Sequence, residues 1–516
     1  MFKQTAITSL DSYKLGHADQ YPEKTTKVYS NFTPRSNSYL NIPAEFKTDK
    51  IVWVGTTAFL AELNELWVTT FFDQQWSDIS TEYNEIVAPF CGPNGFNLDR
   101  LKALHSLGYL PLKIKSIPEG SLVNIGVPVL TITNTLPDFY WLPNFLETWM
   151  SSELWKMPTS ATISLAYRRI IDKYAEITGG SKEFVMWQGH DFSVRGMSGI
   201  SDAAKSGAGH LLSFAGTDNI PAIKLIRDVY NGKDTFIGGS VPATEHSVMC
   251  AGGKESEVET FRRLIKTYPS GVVSIVSDTW DFWNVITNIA NELKEEILAR
   301  TPDSLGLAKV VFRPDSGDPV KIITGYTRSE VSYVRDPETG VERPYVNGKQ
   351  ISDAEMKGAV ECLAEIFGTT TNTKGFLTLN QRVGLIYGDS ITHQRAIDIL
   401  ERLAAKGFAS DNIVFGIGSY TFNYNTRDTL GFAMKATYVE IDGVGSSIFK
   451  DPKTDNGTKK SAKGLLKVIK KEDNFVLQND VTIDEEQEGE LTPVFLDGKI
   501  LISEDFSKIR EKFGVL

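Results

Sequence analysis

One recurring unit constrains this chain more than any other feature: a short apolar strand, a polar loop carrying glycine, then a helix with one apolar face. GVVSIVSD (271–278) reads as a buried strand. The stretch after it keeps Phe282, Ile286, Ile289, Leu293 and Ile297 on one helical face. AKVVFRPDSGD (308–318) repeats the strand and its polar end. VGLIYGDS (383–390) does so again, ahead of a helix carrying Ile397, Leu400 and Leu403 and closing at Gly407, and NIVFGIGSY (412–420) is a fourth strand. Strands joined through helices run parallel. Polar residues collect at their carboxyl ends: Asp191 after FVMWQGH, Asp218 after LLSFAGT, Asp278, Arg313 with Asp315, Gly388 with Asp389, and Gly416 with Gly418. A β/α barrel builds its active site from such ends. An open doubly wound sheet gathers ligands there too, so the pattern locates a site before it decides the fold.

The flanks read differently. KVYSNFTPRSN alternates apolar and polar residues and breaks at Pro34, as a strand running into a loop. PLKIKSIPEGSLVNIGVPVLTITNT (111–135) predicts a small β-meander. Asp-Pro-Glu-Thr-Gly and Val-Asn-Gly within 327–350 predict a surface hairpin insertion. Beyond residue 430 the chain is strand-rich again. The expected organisation is a discontinuous α+β domain from 1–149 and 431–516, with a catalytic domain over 150–430.

Charge and composition exclude several classes. With 54 basic against 65 acidic residues the net charge is −11, which repels a nucleic-acid backbone. A small anion needs only a local basic cluster. No apolar run nears the ~18 residues of a membrane span, and the first residues lack a secretory apolar core. Cys91, Cys250 and Cys362 are odd in number and far apart, so they suggest neither a disulfide framework nor a zinc site. A cytoplasmic location is expected.

Several motifs could carry chemistry. In RPDSGDP (313–319) the guanidinium of Arg313 and the carboxylate of Asp315 share a face if the segment is extended. Arg313 would suit a phosphate oxygen and Asp315 a sugar hydroxyl; an Arg–Asp pair that merely holds its own loop is the competing reading. YGDS (387–390) and FGIGS (415–419) are turns whose backbone N–H groups could cradle phosphate. SVPATEHS (240–247) sets Glu245 beside His246. Adjacent helical residues do not face each other, so the pair is not by itself an acid–base dyad; His246 is the natural candidate for a proton relay or phosphate acceptor, and a helix-start histidine on a solvent face is the competing reading. His105, His210 and His393 read as structural. The aromatics of WQGHDFSVRG (187–196) and the lysines of FKDPKTDNGTKKSAKG read as core and solvated loop unless a ligand is expected near them.

Taken in order, DSYKLGHADQYP (11–22), YSNFTPRS (29–36), PEGSLVNIG (118–126), HDFSVRG (190–196), GTD (216–218), SVPATEHS (240–247), VSIVSD (273–278), RPDSG (313–317), GD (388–389), FGIGS (415–419), TRD (426–428) and FKDP (449–452) carry a resemblance over nearly the whole chain. The sequence closely resembles the nicotinamide phosphoribosyltransferase family of type II phosphoribosyltransferases. The resemblance implies an irregular β/α barrel with a second α+β domain, and a homodimer with active sites at the interface. It implies transfer of a phosphoribosyl group from phosphoribosyl pyrophosphate (PRPP) to nicotinamide in NAD salvage, with Mg²⁺, and with ATP as co-substrate through a phosphohistidine.

By the same resemblance Phe192 stacks on nicotinamide, with Tyr13 of the partner subunit on the other face. Asp218 accepts from the carboxamide, and a carboxylate there would repel nicotinate. Ser274 and Asp278 are further substrate-binding positions. Arg195 and Arg313 face phosphate oxygens, and Asp315 holds the ribose. The turns Gly388–Asp389 and Gly418–Ser419 hold the 5′-phosphate. Arg35, Arg427, Lys435 and Lys450 supply the basic, phosphate-rich end. His246 takes the phosphoryl group, and Glu245 and His246 join Arg313 and Asp315 as the catalytic set. The chain departs from the family where Ser419-Tyr420 replaces glycines and at Val194. Nicotinate phosphoribosyltransferase is the alternative activity. A non-catalytic binding protein of the same fold and a two-carboxylate glycosidase are the others weighed.

Overall fold

The computed structural model describes residues 4–91, 98–231, 236–335, 337–338, 340–388, 390–450 and 461–513. Thr25–Thr33 forms a nine-residue strand, as its β-branched and aromatic residues favour. It pairs antiparallel with Ala433–Ile441 on one side and Leu130–Asn134 on the other. The full sheet runs Val444–Ser447, Ala433–Ile441, Thr25–Thr33, Leu130–Asn134, Leu112–Ser116, Thr492–Leu496, Lys499–Ile500. Strands from both ends of the chain therefore share one sheet.

The expected meander at 111–135 does not form. Leu112–Ser116 pairs with Leu130–Asn134, but the intervening Ser121–Asn124 leaves to pair with Lys50–Trp53. Glu119 explains the departure. Its buried carboxylate accepts from Gly55 N–H (2.7 Å), Thr57 N–H (2.7 Å), the Thr57 hydroxyl (2.6 Å) and the Tyr230 hydroxyl (3.0 Å). It thereby satisfies orphan N–H groups at the start of helix Thr56–Trp67. The chain is drawn to that helix instead of turning straight back.

Six strands are all parallel: β1 (Gly189–Asp191), β2 (Gly216–Thr217), β3 (Val273–Val276), β4 (Val310–Arg313), β5 (Val383–Tyr387) and β6 (Val414–Ile417). Their spatial order is β2-β1-β6-β5-β4-β3. Isolated parallel bridges Gly216↔Gly239 and Ala243↔Ser274 carry segment 239–243 across the gap from β2 to β3. The sheet thus closes on itself, with one stave reduced to two bridges. The fold is the α/β class expected, an irregular β/α barrel rather than an open sheet.

The apolar face expected after β3 is buried at Phe282, Ile286, Ile289, Leu293 and Ile297. Its helix is interrupted by a π-turn at Val285–Ile289. Among the described residues of 332–350, three short antiparallel strands form: Ser332–Arg335, Glu342–Val346 and Lys349–Gln350. Among the described residues no helix is long and apolar enough to cross a membrane.

The helix Phe506–Glu511 packs Phe506 and Ile509 against the barrel's outer layer. Arg510, wholly buried, donates to the carbonyls of Phe214 (3.2 Å), Phe236 (3.2 Å) and Ile237 (2.7 Å). Burial lowers this guanidinium's pKa to about 10. Three carbonyls beside the closing segment are its compensation.

Candidate active site

The carboxyl ends of the barrel strands converge as the sequence predicts. β1 ends at Asp191, whose buried carboxylate accepts from Ser193 N–H (2.9 Å) and Asn219 Nδ2 (3.0 Å). Its carbonyl accepts Asp218 N–H at 3.0 Å. Asp191 is thus a weld between β1 and β2, not a ligand contact. It sets the backbone that presents Phe192 and Asp218.

Phe192 donates its N–H to the Ile417 carbonyl at 3.0 Å. Its ring lies 4.5 Å from the His190 ring, with the Arg313 guanidinium 5.8 Å from its centroid. Gly416 makes room for it. A Cβ there would stand 2.9 Å from Phe192 Cδ2 and 2.6 Å from the Tyr387 carbonyl oxygen, closer than packing tolerates. Gly388 is equally constrained, since a Cβ would meet the Asp315 carboxylate at 2.5 Å. The glycines at the ends of these strands therefore serve close approach. Asp389 lies outside the described residues.

Asp218 Oδ1 lies 2.9 Å from His190 Nε2 and also accepts from the Ser240 hydroxyl. Burial raises its pKa, but those hydrogen bonds, with Arg313 nearby, outweigh burial and hold it below the ordinary value. Asp218 is an anion at neutral pH.

Asp278 organises the next strand ends. Oδ1 lies 3.2 Å from His246 Nε2, and Oδ2 accepts from Asp315 N–H (2.9 Å) and the Ser316 hydroxyl (2.6 Å). This carboxylate is buried whereas the His246 ring is half exposed. Asp278 is therefore an orienter, holding His246 at the start of helix His246–Ala251 and fixing the loop that carries Asp315. Arg313 donates to the Thr244 carbonyl. Burial lowers its pKa; Asp315, Asp218 and Asp278 oppose that effect while Arg195 adds to it. Two guanidiniums thus converge on the barrel mouth, an arrangement suited to an anion.

The remaining predicted residues fall into two groups. Near the barrel mouth, Ser274 has a buried hydroxyl with no hydrogen-bond partner among the described residues. Gly418 precedes the short helix Ser419–Asn423, and Ser419 packs on Gly196, where a Cβ would stand 2.5 Å from Ser419 Cβ. Exposed Glu245 accepts from the Ser247 hydroxyl and does not face His246.

The second group sits by the antiparallel sheet. Burial lowers the pKa of Lys435; Glu147 opposes this, and Arg35, Lys14 and Lys450 reinforce it. These four cations form a second basic cluster, with Lys14 paired to Glu147. Exposed Tyr13 contacts the His17 ring at 5.2 Å and Lys14 at 5.1 Å, and Phe192 is not among its ring contacts. Arg427 pairs with Asp428 at 3.2 Å.

Sequence reasoning missed His190, Ser240 and Lys14. The signal for His190 was the alternation that puts residues 190 and 192 on one face. For Ser240 it was the Gly-Gly just before it. His210 and His393 are buried and hydrogen-bonded to the carbonyls of Gly216 and Ile163, as structural histidines should be.

The profile of the nicotinate phosphoribosyltransferase (NAPRTase) family matches residues 187–497, and that of the nicotinamide phosphoribosyltransferase N-terminal domain matches 5–75. The chain is 52% identical over 515 residues to a nicotinamide phosphoribosyltransferase of Acinetobacter baylyi, covering 99% of this chain and 98% of that one. It is 33% identical to one of Mycoplasma pneumoniae, over 89% and 94% of the two chains. Among solved structures, human nicotinic acid phosphoribosyltransferase aligns with a TM-score of 0.56 at 15% identity, covering 98% of this chain and 93% of that one. This last likeness speaks to the fold alone. With family profiles at both ends and a relative matched from end to end, the chain belongs to the nicotinamide phosphoribosyltransferase family, within the nicotinate phosphoribosyltransferase superfamily of pentosyltransferases.

Proposed function

We propose that this protein joins nicotinamide to PRPP, releasing nicotinamide mononucleotide and pyrophosphate, in NAD salvage. The observation that carries the choice of base is Asp218: an anion at the barrel mouth, bound to His190, whose ring lies 4.5 Å from that of Phe192. It accepts from a carboxamide N–H₂ and repels the carboxylate of nicotinate. Phe192 offers a stacking face for the pyridine.

The ring nitrogen attacks the anomeric carbon of PRPP as the bond to pyrophosphate breaks. The developing oxocarbenium and the leaving charge need positioning and cations more than a protein nucleophile. Arg313 and Arg195 take the phosphate oxygens, Asp315 the ribose hydroxyls, the Gly388 and Gly418–Ser419 turns the 5′-phosphate, and Ser274 a polar atom of the base.

Mg²⁺ fits this site as a companion of pyrophosphate. Among the described residues no group of three acidic, histidine or cysteine side chains could cage a metal. Mg²⁺ commonly binds through one or two carboxylates plus substrate phosphates, and Asp315 is the carboxylate in place. When bound, the ion neutralises leaving-group charge.

ATP coupling runs through His246. With Nε2 tied to Asp278, Nδ1 is the nitrogen open to a phosphoryl group. The γ-phosphoryl group passes to Nδ1, ADP leaves, and water later cleaves the phosphohistidine.

Tyr13 and the cluster of Arg35, Lys435 and Lys450, with Arg427, serve the site of a partner copy in a homodimer. Residues 1–149 with 431–516 form the unit that presents them, and 150–430 the catalytic unit. The cytoplasm, where these substrates reside, is the place of action.

The test gives purified protein PRPP, Mg²⁺ and equal nicotinamide and nicotinate, with and without ATP, and reads products by mass spectrometry. Predominant nicotinamide mononucleotide is expected. Predominant nicotinate mononucleotide would overturn the role of Asp218 while keeping the chemistry. No nucleotide would leave a binding protein of this fold.

A further inference from the structure

Asp218 sits between donors from two different staves. Nε2 of His190, on β1, and the hydroxyl of Ser240, on the closing segment, both reach Oδ1. Oδ2 accepts from no described residue. One oxygen is saturated by the protein while the other is left for a ligand. Donation from Nε2 leaves the lone pair of a neutral imidazole at Nδ1. Nδ1 lies against Gly216, where a Cβ would stand only 2.8 Å away. A side chain at 216 would push the imidazole off its seat, so the ring's approach to Asp218 is built into the strand.

We propose that His190 and Ser240 are the positioning residues that set amide-over-acid selectivity, by holding Asp218 turned so that Oδ2 meets the base. The proposal rests on the reading of Asp218 as the carboxamide acceptor. The titratable and charged groups around it are His190 on β1 and Arg313 on β4. Behind them, buried His210 on helix Ile200–His210 interacts with both His190 and Asp191.

The physical consequence is specific. Burial favours the neutral acid, and the two donors, together with Arg313, reverse that preference. Without a donor the balance shifts toward burial, and Oδ1 loses the contact that fixes the carboxylate. The side chain is then free to turn Oδ2 away from the base, and its discrimination between amide and acid weakens. Selectivity should fall, and any pH dependence of the loss should run toward the acid side.

The experiment compares kcat/KM for nicotinamide and for nicotinate from about pH 6 to about pH 8, a span in which an ordinary carboxylate does not titrate. His190→Leu and Ser240→Ala are each expected to lower the nicotinamide-to-nicotinate ratio by about tenfold, the scale of a hydrogen bond to a charged group. His190→Gln, whose amide can donate from near the Nε2 position, should restore most of the ratio. Ser240 is exposed, so Ser240→Ala reports even if His190→Leu fails to fold. An unchanged ratio in Ser240→Ala and His190→Leu at every pH would overturn the proposal. So would an equal loss with both bases, the mark of a merely structural role. If the unaltered protein itself prefers nicotinate or makes no nucleotide, the reading of Asp218 or of the enzyme fails first, and is recognised as that.

Discussion

At the scale of single residues, this site is governed by carboxylates that act through other groups. Asp191, Asp278 and Asp218 look alike in sequence, each polar after an apolar strand. Asp191 is sealed and welds two strands, Asp278 orients an imidazole, and Asp218 alone of the three has an oxygen that no described residue hydrogen-bonds. Strand-end position was legible; role was not, because role depends on partners 28 or 32 positions away along the chain. His246 gives the clearest expectation here. His246→Ala should collapse the difference between turnover with ATP and without it, read as product formed per ATP consumed. Full ATP stimulation in that variant would remove the phosphohistidine from the mechanism.

Among the elements, helix Glu257–Thr267 carries a charge in an awkward place. Glu257 is buried, and its Oε1 has no hydrogen-bond partner among the described residues. Burial, with Asp281 adding to it and Lys254 opposing, raises its pKa from 4.5 to about 7. Between those values the folded protein holds a proton that the unfolded chain has released. Stability contributed by this group therefore falls as pH rises through that window. Glu257→Gln should flatten the decline, so urea midpoints at about pH 5 and about pH 8 should lie closer together in the variant. Equal spacing in both proteins would place the titration elsewhere. Element by element, the strands β3 to β6 were readable because each pairs an apolar run with a polar end. The closing stave at 239–243 was not, since Gly-Ser-Val-Pro-Ala has no strand pattern and is held by two bridges. The meander failed for a similar reason: what diverts the chain at Glu119 is a helix start more than sixty residues earlier.

For the whole molecule, two basic clusters stand apart, one at the barrel mouth and one beside the antiparallel sheet. A homodimer that brings one copy's sheet cluster to the other's barrel predicts complementation. Tyr13→Ala and Arg313→Ala chains, each weak alone, should on mixing recover about a quarter of full activity, as random pairing leaves half the dimers with one intact site. No recovery after verified subunit exchange would mean that each chain works by itself. The architecture also bears on how the protein is made. The strand Thr25–Thr33 finds one neighbour only when Ala433–Ile441 exists, and the carbonyls of Phe236 and Ile237 wait for Arg510. A ribosome delivers those partners hundreds of residues later. The barrel's closing stave and the middle of the great sheet must therefore stay incomplete through most of translation. For this chain, emergence of helix Phe506–Glu511 is the step that lets the closing side of the barrel settle.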